Sequence, residues 1–434
     1  VRDSHLVRNA SSFQERFMSH VVRFVASLQF LSILAACNVD DAPASTGGVD
    51  LQAGPCGRGL IVVSTDYQST NVSLVSLDGL VLSRSFVSSA LSDVGLSAPL
   101  GGDVVLPTQR QDGDDILLLD RYPASVLTWV DVQTGTPSGQ LSLASGFAAN
   151  PHDVLVLAEH KAYATRSEPN FDPGHEPFDQ GDDIVIIDPM ARTLTGRIDL
   201  HPAMIGAGEG FYARPDKIIA EGERVFLLLG GYAPDYLSSA PSRVATINPG
   251  TDSVADVVVL EDMHGCVSID VSPSRHEIAV ACAGEFGGDS VSTIAESGVV
   301  LLSTHGTLTE RRRFPAAKFG LGPLAAAAYV GDTSLLLTTF GQFEEGDEPE
   351  RQDGLVQLNT DSGEFEVLMR SESSPFSLGD VRCAPACNVC FLADAERGGG
   401  VLHRLTLEDE KVRAREQIVV DREIGLPPRS LGWF

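Results

Sequence analysis

Short apolar runs, each ending in a polar turn, recur along most of this chain and predict β-strands rather than helices. The most regular of these runs recurs seven times, at intervals of 55, 55, 60, 55, 56 and 49 residues. The seven occurrences are residues 75–78, 130–133, 185–188, 245–248, 300–303, 356–359 and 405–408. A repeat of this length indicates a structural unit that stacks on copies of itself.

Most repeats carry three further strand-like runs, so that each repeat predicts a four-stranded sheet. Seven such sheets predict an all-β, seven-bladed β-propeller, in which radial repetition protects the strand edges. The first repeat lacks an opening strand, because Cys56 leads directly into its second one. Residues 427–434 supply a strand at the other end of the chain. We therefore expect this C-terminal strand to join blade one and close the ring.

The third repeat contains Tyr163-Ala164-Thr165-Arg166, followed by strand-like residues 183–188 and 196–200. This pattern resembles the YVTN-type repeat of bacterial propellers, from which Ala164 and Arg166 depart. The resemblance implies the propeller fold, and its superfamily includes lactonase-like enzymes.

Residues 24–36 form an apolar stretch too short to span a bilayer, and Leu34-Ala35-Ala36-Cys37 ends it. This sequence resembles the lipobox of bacterial lipoproteins, which implies cleavage before Cys37 and lipidation of that residue, including palmitate. An ordinary signal peptide followed by a chance cysteine is the alternative. We predict an upstream extension and signal peptide at 1–36, a lipidated cysteine and flexible tether at 37–55, and the propeller at 56–434. Asn38 after the cysteine implies, by the same resemblance, the outer membrane of the cell envelope.

Six cysteines remain after Cys37, and an even number in an exported chain predicts disulfides. Cys266 and Cys282 lie symmetrically about a turn, so antiparallel pairing would set them opposite each other. Cys383 and Cys390 flank another turn and can pair in the same way. Cys56 and Cys387 would then staple blade one to blade seven. Metal binding by Cys383, Cys387 and Cys390 is the alternative, although a fourth ligand at zinc spacing is absent.

The chain has 434 residues and a net charge of −28, which argues against nucleic-acid binding because phosphates would be repelled. Twelve of the 59 acidic residues lie in two predicted loops, residues 167–183 and 341–353. These loops predict either a site for a basic protein or a cation, or a solvated acidic rim. Ca²⁺ is one such cation, and the carboxylates that could bind it are Asp172, Glu176, Asp179 and Asp182.

The predicted inner strands repeatedly begin with an aspartate, which the fold would place at the mouth of the central channel. The candidate channel-mouth residues are His152, Asp153, Arg214, Asp216, His264, Asp380, Arg382 and Arg429. Convergent carboxylates, histidines and arginines favour a general acid–base or anion site. The alternative is that each aspartate bonds backbone N–H groups, the same task in every blade.

These patterns favour a non-enzymatic binding or scaffolding module, anchored to the membrane by lipid, with its long-loop face exposed. The alternative is a lactonase-like or metal-assisted hydrolase that uses His152, Asp153, Asp216 and His264. The chain contains no GxSxG, HExxH or phosphate-binding glycine motif. No cofactor is predicted, although Trp129 and Trp433 could stack on a quinone in the channel.

Overall fold

Each sequence repeat folds as one four-stranded antiparallel sheet in the computed structural model, and together the sheets form a seven-bladed β-propeller. The structure describes residues 53–90, 96–285, 290–343, 350–372, 375–396 and 399–434. The predicted signal peptide, Cys37 and most of the tether lie outside the described residues, as do residues 344–349 of the second acidic loop. The predicted fold class is confirmed.

The strands follow the chain blade by blade. Blade one contains β1 (Leu60–Thr65), β2 (Thr70–Val75) and β3 (Val81–Ser88). Blade two contains β4 (Val104–Val105), β5 (Asp115–Asp120), β6 (Val126–Asp131) and β7 (Pro137–Ser142). Blade three contains β8 (Pro151–Ala158), β9 (Lys161–Pro169), β10 (Gly181–Asp188) and β11 (Thr193–Asp199). Blade four contains β12 (Pro215–Glu221), β13 (Arg224–Leu229), β14 (Arg243–Asn248) and β15 (Ser253–Val259). Blade five contains β16 (Cys266–Val271), β17 (Glu277–Ala283), β18 (Ser297–Ser303) and β19 (Thr309–Pro315). Blade six contains β20 (Leu324–Tyr329), β21 (Ser334–Thr339), β22 (Gly354–Asn359) and β23 (Phe365–Arg370). Blade seven contains β24 (Leu378–Ala384), β25 (Val389–Asp394), β26 (Val401–Glu408) and β27 (Lys411–Ile418). The last strand, β28 (Pro428–Trp433), is the inner strand of blade one.

The two ends of the described chain meet in blade one, as the sequence predicts. Strand β28 pairs antiparallel with β1, and Leu431 lies opposite Val62. The disulfide between Cys56 and Cys387 adds a covalent link between blades one and seven across 331 residues of sequence. Ring closure therefore rests on both a strand pair and a covalent bond.

Hydrophobic packing between neighbouring blades holds the ring together. The described residues form seven hydrophobic clusters, and each cluster spans one pair of adjacent blades. Strand β1 is buried along its whole length, whereas the outer strand β23 is exposed or half-buried throughout. This gradient arises because inner and middle strands lie between two other blades, while outer strands face solvent on one edge.

The other two predicted disulfides are also present. Cys266 pairs in register with Cys282, and Cys383 pairs in register with Cys390. The alternative of a metal site at Cys383, Cys387 and Cys390 is therefore wrong, since all three sulfurs are in disulfides. Three disulfides are typical of a protein that folds outside the reducing cytoplasm. Among the described segments, no helix has the length and apolar character needed to cross a membrane.

Candidate functional site

The antiparallel order of the blades gives the ring two different faces. Every inner strand begins at the face that carries the connections between blades and the loops between second and third strands; we name this the loop face. The opposite face, which carries the remaining turns, we name the turn face. Most of the predicted channel-mouth residues lie where inner strands begin, so they belong to the loop-face end of the channel.

Three aspartates of the inner strands hold the neighbouring blade. An inner strand is the edge of its sheet, so its channel-facing N–H groups have no strand partner. Each aspartate accepts one such N–H from the next blade. The contacts are Asp153 with Ile218 at 2.9 Å, Asp270 with Tyr329 at 2.7 Å, and Asp380 with Leu431 at 3.1 Å. These three contacts match the alternative in which the aspartates bond backbone N–H groups.

Burial raises the pKa of two of these carboxyl groups, those of Asp153 and Asp270. It raises the pKa of Asp153, although the N–H groups of Ile218 and Thr108 and the charge of Lys217 oppose the change. Burial also raises the pKa of Asp270 to about 6, against the opposing hydrogen bond from Tyr329. The folded ring therefore holds carboxylates that are harder to ionise than free aspartate.

His152 and Asp216 form the most polar pair at the channel mouth. The Nδ1 atom of His152 lies 3.0 Å from Oδ1 of Asp216, and Lys217 Nζ lies 3.4 Å from the same oxygen. Burial would raise the pKa of Asp216, but Lys217, His152 and Arg121 together hold it below its usual range. A carboxylate that orients a histidine is an arrangement used for general base catalysis.

A segment of blade two, residues 108–111, occupies the turn-face half of the channel. The side chain of Gln109 bonds both the N–H and the carbonyl of Ala220 in blade four. Arg382 of blade seven donates to the carbonyl of Thr108 at 2.9 Å. Gln111 accepts the N–H of Val156 at 2.7 Å. Since blades four and seven are not neighbours of blade two, these contacts can form only through the central space, and the segment obstructs it.

This obstruction was missed by sequence reasoning. The inner strand of blade two has only two residues, Val104 and Val105, so the chain leaves the sheet early and turns into the channel. Pro107 was the one available signal, because proline ends a regular strand. The short polar run that follows gives no indication of which blades it will contact.

Arg214 lies at the junction of blades three and four and is almost fully buried. Its guanidinium bonds the Glu168 carboxylate and, at 2.8 Å, the Tyr236 hydroxyl, and it stacks on the Tyr236 ring. The backbone N–H of Arg214 donates to Asp182. This arginine is therefore part of the blade junction rather than a free cation at the channel.

The remaining candidates are dispersed around the rim. His264 Nδ1 lies 2.9 Å from the Ser239 hydroxyl. Arg429 donates to the carbonyl of Thr65 and lies over the ring of Tyr67. Trp129 packs in the cluster between blades two and three, and Trp433 packs against Phe391. Both tryptophans therefore pack between blades rather than offering a ring on which a quinone in the channel could stack.

The first acidic loop uses most of its carboxylates internally. Asp183 forms a fully buried ion pair with Arg166, with two contacts of 2.8 Å. Asp182 accepts the N–H groups of Ala213 and Arg214, and burial raises its pKa to about 6. Asp179 accepts three backbone N–H groups of its own loop.

Two of the metal candidates in this loop are exposed. The side chain of Asp172 is 93% exposed and lies 3.2 Å from His175, and Glu176 is also exposed. No group of three or more His, Cys, Asp or Glu side chains in the described part of the chain could hold a metal ion. Asp172, Glu176, Asp179 and Asp182 thus have separate environments.

Within the second acidic loop, the described residue Asp353 also forms internal hydrogen bonds. Asp353 accepts N–H groups from Gly341, Phe376, Ser377 and Leu378, which ties blade six to the start of blade seven. Asp353 and Asp182 therefore perform equivalent tasks at two blade junctions.

Exposed hydrophobic side chains are concentrated on the loop face. Of twelve large hydrophobic side chains exposed in the described ranges, three lie on the turn face: Leu80, Met190 and Phe365. The other nine lie in loop-face loops and connections: Tyr67, Tyr122, Phe171, Ile205, Leu237, Phe343, Phe376, Val419 and Ile424. Five of these nine are aromatic.

The comparisons with known proteins support the fold. No protein-family model and no curated protein sequence matches this chain. Among solved structures, hydrazine synthase from Kuenenia stuttgartiensis is similar with a TM-score of 0.51 and 13% identity, covering 73% of this chain and 80% of that one. A provisional 6-phosphogluconolactonase from Bacteroides uniformis is similar with a TM-score of 0.50 and 14% identity, covering 86% and 98%. At this identity the likeness establishes only the fold, a seven-bladed β-propeller, and does not identify an activity.

Proposed function

We propose that this chain is a lipid-anchored propeller of the cell envelope that docks a partner protein through its loop face. The observation that carries the proposal is the uneven distribution of exposed hydrophobic side chains, since nine of the twelve in the described part of the chain lie on that face. Exposed apolar groups on one face are typical of interaction surfaces, and aromatic residues are enriched in the parts that contribute most to affinity.

The charge of the face favours a basic partner. Asp172, Glu209 and Asp235 are exposed on loop-face segments of blades three and four. A partner that presents lysine or arginine around an apolar centre would complement this surface and be attracted to a chain of net charge −28.

The connection to the tether suits this arrangement. Residues 54–59 precede β1 at the turn face, where the Gly59 N–H approaches the carbonyl of Phe434. The described chain therefore enters blade one at the turn face, and this entry segment does not cover the loop face.

Matched surface variants of the full chain test this proposal. The variant Tyr67→Ser/Phe171→Ser/Phe343→Ser removes three loop-face anchors, and Leu80→Ser/Met190→Ser removes two turn-face side chains. We expect the wild-type chain and the turn-face variant to sediment as the same complex after mild detergent solubilisation of the envelope. The loop-face variant should sediment as the free chain. If all three chains sediment alike, or if only the turn-face variant loses its complex, the proposal is wrong.

A hydrolase at the channel mouth is the second candidate, and one observation favours it. His152 is held by Asp216 at 3.0 Å beside Lys217, which gives a candidate base next to a cation. Hydrolysis of a δ-lactone by purified wild-type chain, lost in His152→Asn and retained in His160→Asn, would support this candidate. Equal rates for both variants would remove it.

A further inference from the structure

A separate pocket lies at the outer edge of the ring, between blades six and seven. It has a volume of about 410 Å³ and opens between β23 on one side and β26 and β27 on the other. This volume falls within the range that small-molecule sites occupy. Its lining includes His403 and Asp394, together with Arg370, Arg415 and Gln417.

The pocket contains a buried histidine with one unused nitrogen. His403 is only 1% exposed, and its Nε2 atom lies 2.8 Å from Oδ2 of Asp394. The other carboxylate oxygen of Asp394 accepts the N–H of Glu396 at 3.1 Å, so both oxygens are used. Because a carboxylate only accepts, Nε2 of neutral His403 carries the proton and Nδ1 holds a lone pair. That Nδ1 is buried and has no hydrogen-bond partner among the described residues.

Two guanidinium groups flank this histidine from different blades. Arg415 of β27 reaches towards blade six, where its Nη1 lies 3.1 Å from the Met369 sulfur. Within the described residues, neither Arg370 nor Arg415 forms an ion pair with a carboxylate. Unpaired arginines in so acidic a chain are available for an anion, which they bind in a fork geometry. Glu372 and Glu396 also line the pocket. Their negative charge would repel a highly charged anion more strongly than a singly charged one.

We propose that this pocket binds a small hydroxylated carboxylate, such as a sugar acid. The carboxylate would bond Arg370 and Arg415, and a ligand hydroxyl would donate to Nδ1 of His403. Gln417, which lies opposite His403 in the strand register and is exposed, offers a further donor and acceptor for the hydroxyl groups. This inference concerns a small ligand and is independent of protein docking at the loop face.

Isothermal titration of the purified full chain with D-gluconate tests the proposal, with D-glucose and acetate as controls. Glucose lacks the carboxylate, and acetate lacks the hydroxyl groups. We expect gluconate to bind at least tenfold more tightly than either control. The variant His403→Gln can keep a donor for Asp394 while removing the Nδ1 lone pair, so it should fold normally and weaken gluconate binding at least tenfold.

Arginine variants complete the test. Arg370→Gln and Arg415→Gln should each weaken gluconate binding about tenfold, whereas Arg422→Gln, an exposed arginine after β27, should leave it unchanged. Gluconate that binds no better than acetate or glucose would overturn the proposal. So would an Arg422→Gln variant that loses as much affinity as the pocket variants, because the effect would then reflect net charge alone.

Discussion

The central channel and the loop face contain similar polar residues but use them differently. In the channel, Asp153, Asp270 and Asp380 accept backbone N–H groups, and Gln109 bonds the backbone of a blade on the far side. On the loop face, aromatic side chains such as Phe171 and carboxylates such as Asp172 face solvent. Polar groups that recur from blade to blade therefore serve the ring itself. Features confined to particular loops are better candidates for function.

The largest expected effect concerns covalent closure of the ring. The Cys56–Cys387 disulfide spans 331 residues and Cys383–Cys390 spans 7. On the chain-entropy account, replacing the first pair by serine should lower the free energy of unfolding by roughly 6 kcal/mol, and replacing the second by roughly 2 kcal/mol. Denaturant titration of the two variants measures the difference. Equal losses would contradict the prediction that the long-range disulfide stabilises the ring more than the short-range one does.

The next effect concerns the base of the first acidic loop. Arg166→Leu would remove both 2.8 Å contacts of the fully buried Asp183 and leave it only Arg197, at 3.9 Å. We therefore expect a loss of about 3 kcal/mol in the free energy of unfolding. The double variant Arg166→Leu/Asp183→Leu should recover part of that loss. As a control, Asp172→Asn at an exposed position of the same loop should change stability by less than about 0.5 kcal/mol. A small loss of free energy of unfolding in Arg166→Leu would contradict the distinction between buried, structural acids and exposed ones.

A smaller effect depends on pH. Burial raises the pKa of Asp270 from 3.8 to about 6, so the folded state binds its proton more tightly than the unfolded state does. The resulting stabilisation is complete below pH 3.8 and is lost as the pH rises to about 6. Relative to Asp270→Asn, the wild-type free energy of unfolding should therefore fall by about 2 kcal/mol between pH 4 and pH 6.5. A difference that is constant over this range would show that Asp270 is not perturbed.

The smallest effect on stability belongs to the loop face. Tyr67→Ser, Phe171→Ser and Phe343→Ser remove side chains that are at least half exposed, so each should change the free energy of unfolding by less than about 0.5 kcal/mol. Thermal unfolding of the single variants measures this. A large loss would mean that these aromatic groups stabilise the ring. The proposed difference between the channel and the loop face would then be wrong.

The sequence predicts the blades, their closure and the disulfides because each depends on local pattern and strand register. Cys266 and Cys282 could be paired from their symmetric positions about one turn, and residues 427–434 could be placed in blade one because its opening strand was missing. The recurring apolar runs predict these features from local sequence alone, without knowledge of long-range contacts.

The sequence does not predict which polar groups are already bonded. The six acids of residues 167–183 look alike, yet Asp183 is fully buried and Asp172 is 93% exposed. No spacing in the sequence relates His403 to a partner, and only the packed strands place it beside Asp394 at a junction of two blades. Such environments depend on how one blade packs on the next, which strand periodicity does not encode.

Site-specific photo-crosslinking most directly tests the central claim that the loop face docks a partner. A photoreactive residue would replace Phe171 or Phe343 on the loop face, and Met190 or Leu80 on the turn face, in the full chain within cells. If the loop face docks a partner, we expect one discrete crosslinked protein, shared by the two loop-face positions and absent from both turn-face positions. The same product from both faces, or a product from the turn face alone, would contradict it.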